Sequence, residues 1–243
     1  MKRGQVTLYV IIAIFIVAAA GFVVYTQREF FGIKVGVNPV IRPIDISVQS
    51  CLKQTVENGI YLIGMQGGYA KIPAYSFETN FSTVAYGYVQ GRNIFPSKDA
   101  VAKQLSDYIN TMLPECVDFG NWSDFTANPG KVISVVLIED DAVLVSVNWP
   151  VSLTKLGATY SLNKFSLKVP VRLGFMHSSA ALIINRTVSD PNHIDLSTFI
   201  DINDKYNITV DVVPFNNTLV YFLTDSNSFL FEKPYNFIIA VGF

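Results

Sequence analysis

Histidine is scarce in this chain, and the familiar catalytic motifs are missing. Its two histidines, His177 and His193, lie sixteen residues apart, and neither has a cysteine or a carboxylate at metal-ligand spacing. The sequence also contains no G-x-S-x-G, no P-loop and no G-x-G-x-x-G. We therefore predict a protein that is not an enzyme, binds no metal and needs no cofactor. His177 is expected to lie on the surface or to be a hydrogen-bonded core residue.

The chain also lacks an excess of positive charge. It has 18 Lys and Arg against 19 Asp and Glu, a net charge of −1, and the part after Gly32 is slightly acidic. Binding to a phosphate backbone depends on a basic surface. No nucleic-acid partner is therefore expected.

Charged side chains are missing altogether between Arg3 and Arg28. A helix over Gln5 to Tyr25 would be roughly 31 Å long, enough to cross the core of a bilayer, and it would show no polar face. Lys2 precedes this segment together with Arg3, so the positive-inside rule places the N-terminus in the cytoplasm and the rest of the chain outside. We therefore predict a membrane protein with an extracellular body and the lipid bilayer as a partner.

Cysteine is rare as well. The two cysteines, Cys51 and Cys116, both follow the uncharged segment. An even count in an extracellular chain permits one disulfide, which would stabilise the fold by about 4 kcal/mol in the chain-entropy model. The alternative is a pair of free buried thiols.

Asparagine, in contrast, recurs in the acceptor motif for Asn-linked glycans. Asn-X-Ser/Thr occurs five times, and each copy is a candidate glycosylation site if the chain is exported. The five asparagines are Asn80, Asn121, Asn185, Asn207 and Asn216.

The domain organisation follows from these features. Residues 1–31 are predicted to form a signal or anchor helix, either transmembrane or in the core of a filament. Gly32, Gly36, Pro39 and Pro43 oppose a continued helix, so residues 32–43 are interpreted as a linker. Residues 44–243 are predicted to form one extracellular domain.

Helical spacing of apolar residues recurs in this domain. One helix is predicted from a cap at Asp45 to a stop at Gly67, and a second begins at Ser97 and ends at Pro114. A third is predicted over residues 172–188, and a short helix over 196–200. A disulfide would then join two helices.

Alternating apolar residues predict strands elsewhere in the domain. Two such runs flank Asp140 and Asp141, a third follows to form a meander, and three more strand candidates lie in the C-terminal tail. The acidic cluster of Glu139, Asp140 and Asp141 is interpreted as a hairpin turn, with calcium binding as the alternative. The order of elements argues for an α+β fold with an antiparallel sheet.

The N-terminal residues Lys2, Arg3, Gly4 and Gln5, followed at once by an uncharged segment, resemble the class III signal of archaeal type IV pilin-like proteins. The resemblance implies a cell-surface protein of an archaeon that a membrane peptidase cuts between Gly4 and Gln5. It also implies that the apolar helices of many copies bundle into a filament core.

Two functions are therefore expected from the sequence. The first is a membrane-anchored structural protein of the cell surface, a pilin-like subunit whose partners are copies of itself or other surface proteins. The alternative is a single-pass anchored ectodomain that binds a partner cell, a glycan or a protein.

Overall fold

Four α-helices and ten β-strands lie in the residues that the computed structural model describes, 38–78, 82–191 and 193–243. The helices are α1 (Arg42–Met65), α2 (Lys98–Cys116), α3 (Leu173–Ser189) and α4 (Leu196–Tyr206). The strands are β1 (Ser76–Glu78), β2 (Thr83–Val89), β3 (Arg92–Asn93), β4 (Thr126–Pro129), β5 (Ile133–Ile138), β6 (Val143–Lys155), β7 (Ala158–Val169), β8 (Ile208–Phe215), β9 (Thr218–Leu230) and β10 (Lys233–Gly242). The part from Pro43 to Phe243 forms one compact unit.

The predicted meander forms a four-stranded antiparallel sheet. Its centre is β6, which pairs with β7 along one side and with β5 and then β4 along the other. Alternate residues of β6 are buried, from Val143 through Trp149 to Leu153, while the residues between them face outward. This two-residue period is typical of a sheet with one buried face.

A second sheet joins the two ends of the domain. Its strands follow the order β1, β2, β10, β9 and β8, and the short strand β3 also pairs with β2. The C-terminal strand β10 runs parallel to β2, with Ala240 opposite Tyr86, whereas the other pairs are antiparallel. Parallel strands need a long crossover, and here most of the domain supplies it.

The predicted fold class is wrong as stated. The α+β arrangement is present, but the body has two sheets instead of one antiparallel sheet, and the larger sheet is mixed. Within residues 38–78, 82–191 and 193–243, no helix is both long and apolar enough to cross a bilayer. The segment for which the prediction placed a membrane or filament-core helix, residues 1–31, lies outside the described residues.

Helix α1 packs closely on β10, and a glycine makes this approach possible. A Cβ atom on Gly64 would lie 2.3 Å from the backbone oxygen of Asn236. The hydroxyl of Tyr235 donates a hydrogen bond of 3.1 Å to the carbonyl of Ile60, and burial raises the pKa of that phenol. The helix then ends in a Schellman turn, in which the amide of Gly68 donates to the carbonyl of Ile63 and residue 67 has a positive φ of 72°.

Helix α2 begins as predicted and protects an edge of the smaller sheet. The Ser97 side chain accepts from the amide of Ala100 and caps the helix. Along β5, the Ser134 amide donates to Asn110 Oδ1 at 2.8 Å, and Ser106 Oγ donates to the Ser134 carbonyl at 2.8 Å. These bonds satisfy backbone groups that an edge strand would otherwise expose.

Three helix boundaries differ from the predictions. Helix α1 begins at Arg42, so Asp45, the predicted cap, lies inside its first turn, where a carboxylate is favourable beside the free amides of the helix start. Pro114 lies inside α2, which continues to Cys116 although the proline cannot donate an amide hydrogen bond to the preceding turn. Helix α4 runs on to Tyr206 and ends at Asn207, which adopts the left-handed conformation with φ 55°. Helix α3 lies across β2, β9 and β10, and α4 packs beside it.

Candidate functional site

An open cleft lies between α3 and α4. Its volume is about 540 Å³. Helix α3 contributes Leu182 to its wall, and the rest comes from one side of α4: Asp201, Ile202, Asp204, Lys205 and Tyr206. Two carboxylates, an ammonium group and a phenol therefore lie beside two aliphatic side chains, a mixture of polar and apolar groups that can contact a ligand.

The C-terminal end of this cleft is held in place by Arg172, directly before α3. Its guanidinium donates from Nη2 to the carbonyl of Tyr206 at 2.8 Å, and from Nη1 to Asp225 Oδ1 at 2.9 Å. Its backbone amide donates to Ser228 Oγ at 3.0 Å. One arginine thus ties the start of α3 and the end of α4 to strand β9.

Aromatic packing completes this anchor. The rings of Phe175 and Tyr206 have centroids 4.9 Å apart, and the guanidinium carbon of Arg172 lies 5.0 Å from the Phe175 ring. On the outer side, Lys205 Nζ lies 5.0 Å from the Tyr206 ring, and its contact with the Tyr206 hydroxyl raises the pKa of the lysine. The Tyr206 ring therefore has packed neighbours on both helices, which fixes its position at the end of the cleft.

Asp225 is the buried member of the ion pair. Its side chain is fully buried, whereas 15% of the Arg172 side chain is exposed. Burial raises the pKa of Asp225, and the amide of Asn227 and the charge of Arg172 both oppose this rise. Oxygen Oδ2 of Asp225 has no hydrogen-bond partner among the described residues. The ion pair is consequently a point where removal of either partner carries a high cost.

The predicted disulfide is confirmed. Cys51, in the first half of α1, and Cys116, the last residue of α2, form a bond with an S–S distance of 2.08 Å and a Cα–Cα distance of 5.7 Å. The alternative of two free thiols is therefore excluded. The bond fastens two helices that already touch, because a Cβ on Gly59 would lie 2.5 Å from Leu105.

The residues predicted for processing and topology lie outside the described residues. These are Gly4 and Gln5 at the predicted cut, and Lys2 and Arg3 before it. Their roles stay predictions.

Four of the five Asn-X-Ser/Thr motifs fall within the described residues, and all four asparagines are exposed. Asn121 ends a one-turn 3-10 helix, Asn185 lies inside α3, Asn207 caps α4, and Asn216 lies in the turn between β8 and β9. Asn80 lies outside the described residues. The four asparagines are therefore all exposed, but they lie in different kinds of secondary structure.

The two histidines have separate surroundings. His177 is buried in α3, its Nε2 lies 2.8 Å from the carbonyl oxygen of Pro96, and its ring lies 5.0 Å from that of Phe95. Burial lowers its pKa. His177 is thus the hydrogen-bonded core residue that was one of the two expectations. His193 is exposed 3.0 Å from Asp190, whose hydrogen bond raises the pKa of the imidazole.

The acidic cluster forms the connection between β5 and β6, as the turn interpretation predicted. The Glu139 amide donates to the carbonyl of Ala142 at 2.9 Å, and the Asp140 carbonyl accepts from the amide of Phe175 at the start of α3. The Asp140 side chain is 3.4 Å from Lys98. Among the described residues, no three His, Cys, Asp or Glu side chains lie where they could hold a metal ion together.

Sequence reasoning missed the cleft and its anchor. One signal for the anchor was available, because Asp225 is the only charged residue in the strand-forming run 218–231. A lone charge in such a run indicates a buried partner, but the sequence does not identify Arg172 as that partner. The cleft itself depends on how α3 and α4 pack, which no local pattern encodes.

Comparison of this chain with protein-family models, with curated proteins and with solved structures finds no match.

Proposed function

We propose that this chain is a membrane-anchored protein of the cell surface whose folded body works by contact with partners and not by catalysis. The observation that carries the proposal is the disulfide between Cys51 and Cys116. Structural disulfides persist in oxidising compartments and are rare in reducing cytosol. A body that is closed by such a bond is consistent with export.

Two further features support export. The segment from Val6 to Tyr25 has no charge and follows Lys2 and Arg3, a sequence typical of proteins that attach to a membrane with the N-terminus inside. The four described Asn-X-Ser/Thr asparagines are all exposed on the folded body, where an extracellular glycan could be accommodated.

Within this proposal, a pilin-like subunit is the first form. The specific observation in its favour is the sequence Lys2-Arg3-Gly4-Gln5 before the uncharged segment. This form predicts a chain that begins at Gln5 and is isolated in complexes with copies of itself or other surface proteins.

The second form is a lone ectodomain that binds a partner cell, a glycan or a protein. The cleft between α3 and α4 supports it, because Asp201, Asp204, Lys205 and Tyr206 offer hydrogen-bonding groups beside apolar side chains. This form predicts a chain that retains Met1 and stays monomeric.

Surface exposure is tested by treating intact cells with a protease that does not cross membranes, followed by mass spectrometry. We expect the body, residues 44–243, to be digested while a cytoplasmic marker protein stays intact. Protection of the body until the cells are lysed would refute the proposal. The N-terminal mass of the same protein then separates the two forms, because only the pilin-like form begins at Gln5.

A further inference from the structure

We propose that Asn121 and Asn207 are the glycan acceptors of the folded body, and that Asn185 and Asn216 are not modified although they carry the same motif. This inference rests on the proposed function, because only an exported chain meets the transferase. It divides four exposed asparagines into two pairs by one structural property, the accessibility of the third residue of the motif.

The chemistry of glycan transfer explains why the third residue of the motif determines whether its asparagine is modified. A transferase joins the side-chain nitrogen of Asn to the anomeric carbon of a saccharide that is linked to a lipid through phosphate. The new C–N bond forms as the anomeric C–O bond to phosphate breaks, the lipid phosphate leaves with the electron pair, and the proton lost by the amide nitrogen balances the charge on the departing phosphate. The Ser or Thr hydroxyl defines the motif, so the enzyme has to reach that hydroxyl as well as the asparagine.

In the first pair, both groups are accessible. Asn121 and Ser123 are both exposed, in the turn that follows α2. Asn207 and Thr209 are both exposed, where α4 ends and β8 begins. The side-chain nitrogen of Asn207 donates to Asn227 Oδ1 at 3.2 Å, a contact between two exposed side chains.

In the second pair, the hydroxyl is buried and already bonded. Thr187 is 6% exposed, and its Oγ1 donates to the carbonyl of Ile183 at 3.1 Å within α3. Thr218 is also 6% exposed, and its Oγ1 lies 3.0 Å from the hydroxyl of Tyr86. Reaching either hydroxyl requires α3 to unwind or β9 to leave its sheet, and such openings are rare in the packed parts of a fold.

The test uses the full chain produced in its own cells, in an Asn80→Gln background that removes the undescribed site from the count. Asn121→Gln and Asn207→Gln should each lower the mass of the intact protein by one glycan. Asn185→Gln and Asn216→Gln are the matched controls and should leave the glycan mass unchanged. All four changes are at exposed positions, but Asn207 and Asn216 have positive φ, which glutamine adopts less readily than asparagine. Thr209→Ala removes the Asn207 motif without changing the left-handed residue and should lower the mass by the same glycan.

Site-resolved mass spectrometry on the same protein shows which asparagines carry the glycan. A glycan on Asn185 or Asn216 would overturn the inference, and so would bare Asn121 and Asn207 in a chain that protease digests on intact cells. In that second case the proposed function stands and only the choice of acceptor sites fails. A chain that carries no glycan and is also protected from protease on intact cells would overturn both this inference and the proposed function.

Discussion

Removal of the Arg172 guanidinium is expected to destabilise the body severely. In Arg172→Met, Asp225 stays fully buried and loses its charged partner, and the carbonyl of Tyr206 loses a donor at the end of the cleft. Breaking a buried ion pair from one side typically costs about 3–5 kcal/mol. The exposed pair of Lys98 and Asp140 provides the matched control, since surface pairs contribute about 0–1 kcal/mol.

The loss should also depend on pH in a defined direction. Burial raises the pKa of Asp225 above that of the unfolded chain, so the folded state binds its proton more tightly. The contribution of this group to stability therefore falls as pH rises through the interval between the two pKa values. Arg172→Met removes a charge that opposes the rise in the Asp225 pKa, which widens the interval. The stability that Arg172→Met loses relative to the native chain should therefore be smaller at acidic pH, where Asp225 is protonated, than at neutral pH.

Urea denaturation of the full chain with the disulfide intact measures both effects. Buried Trp149 provides a fluorescence signal for unfolding. We expect the double variant Arg172→Met/Asp225→Leu to recover much of the loss, because an apolar pair of similar volume often replaces a buried ion pair without penalty. A loss under about 1 kcal/mol for Arg172→Met, no larger than that of Lys98→Met, would refute the reasoning.

Three further variants test other parts of the structure by urea denaturation of the full chain, and only the variant without cysteines lacks the disulfide. Replacing Cys51 and Cys116 together by serine should lower the free energy of unfolding by about 4 kcal/mol, and an unchanged value would mean that the bond constrains nothing. Gly64→Ala should cost about 3 kcal/mol, because its Cβ would lie 2.3 Å from a backbone oxygen of β10; a loss under about 0.5 kcal/mol would contradict that packing. Ser97→Ala should cost about 1 kcal/mol through the lost cap of α2, and full stability would argue against the cap.

Local sequence patterns predicted most of the elements in the body. The period of 3.6 residues in α1 and the two-residue period in β6 each follow from burial of one face, which the sequence records directly. The cap at Ser97 and the stop at Gly67 are likewise local, since each involves residues within one or two turns of the helix end. These features could be predicted because their causes lie close together in the chain.

The contacts that were missed join residues far apart in the chain. The parallel pairing of β2 with β10 brings Tyr86 beside Ala240, and neither strand carries a mark that selects the other. The pairing of Arg172 with Asp225 across 53 residues is of the same kind. The candidate cleft depends on that pair, so it too was beyond prediction from local pattern.

The redox state of the cysteines in living cells tests the central claim most directly. Intact cells are treated with a thiol-alkylating reagent that crosses membranes, and the protein is then analysed by mass spectrometry with and without prior reduction. We expect Cys51 and Cys116 to remain unmodified until a reductant is added, because an exported body keeps its disulfide. Alkylation of both cysteines without reductant would refute export of the body, since it would place the body in a reducing compartment.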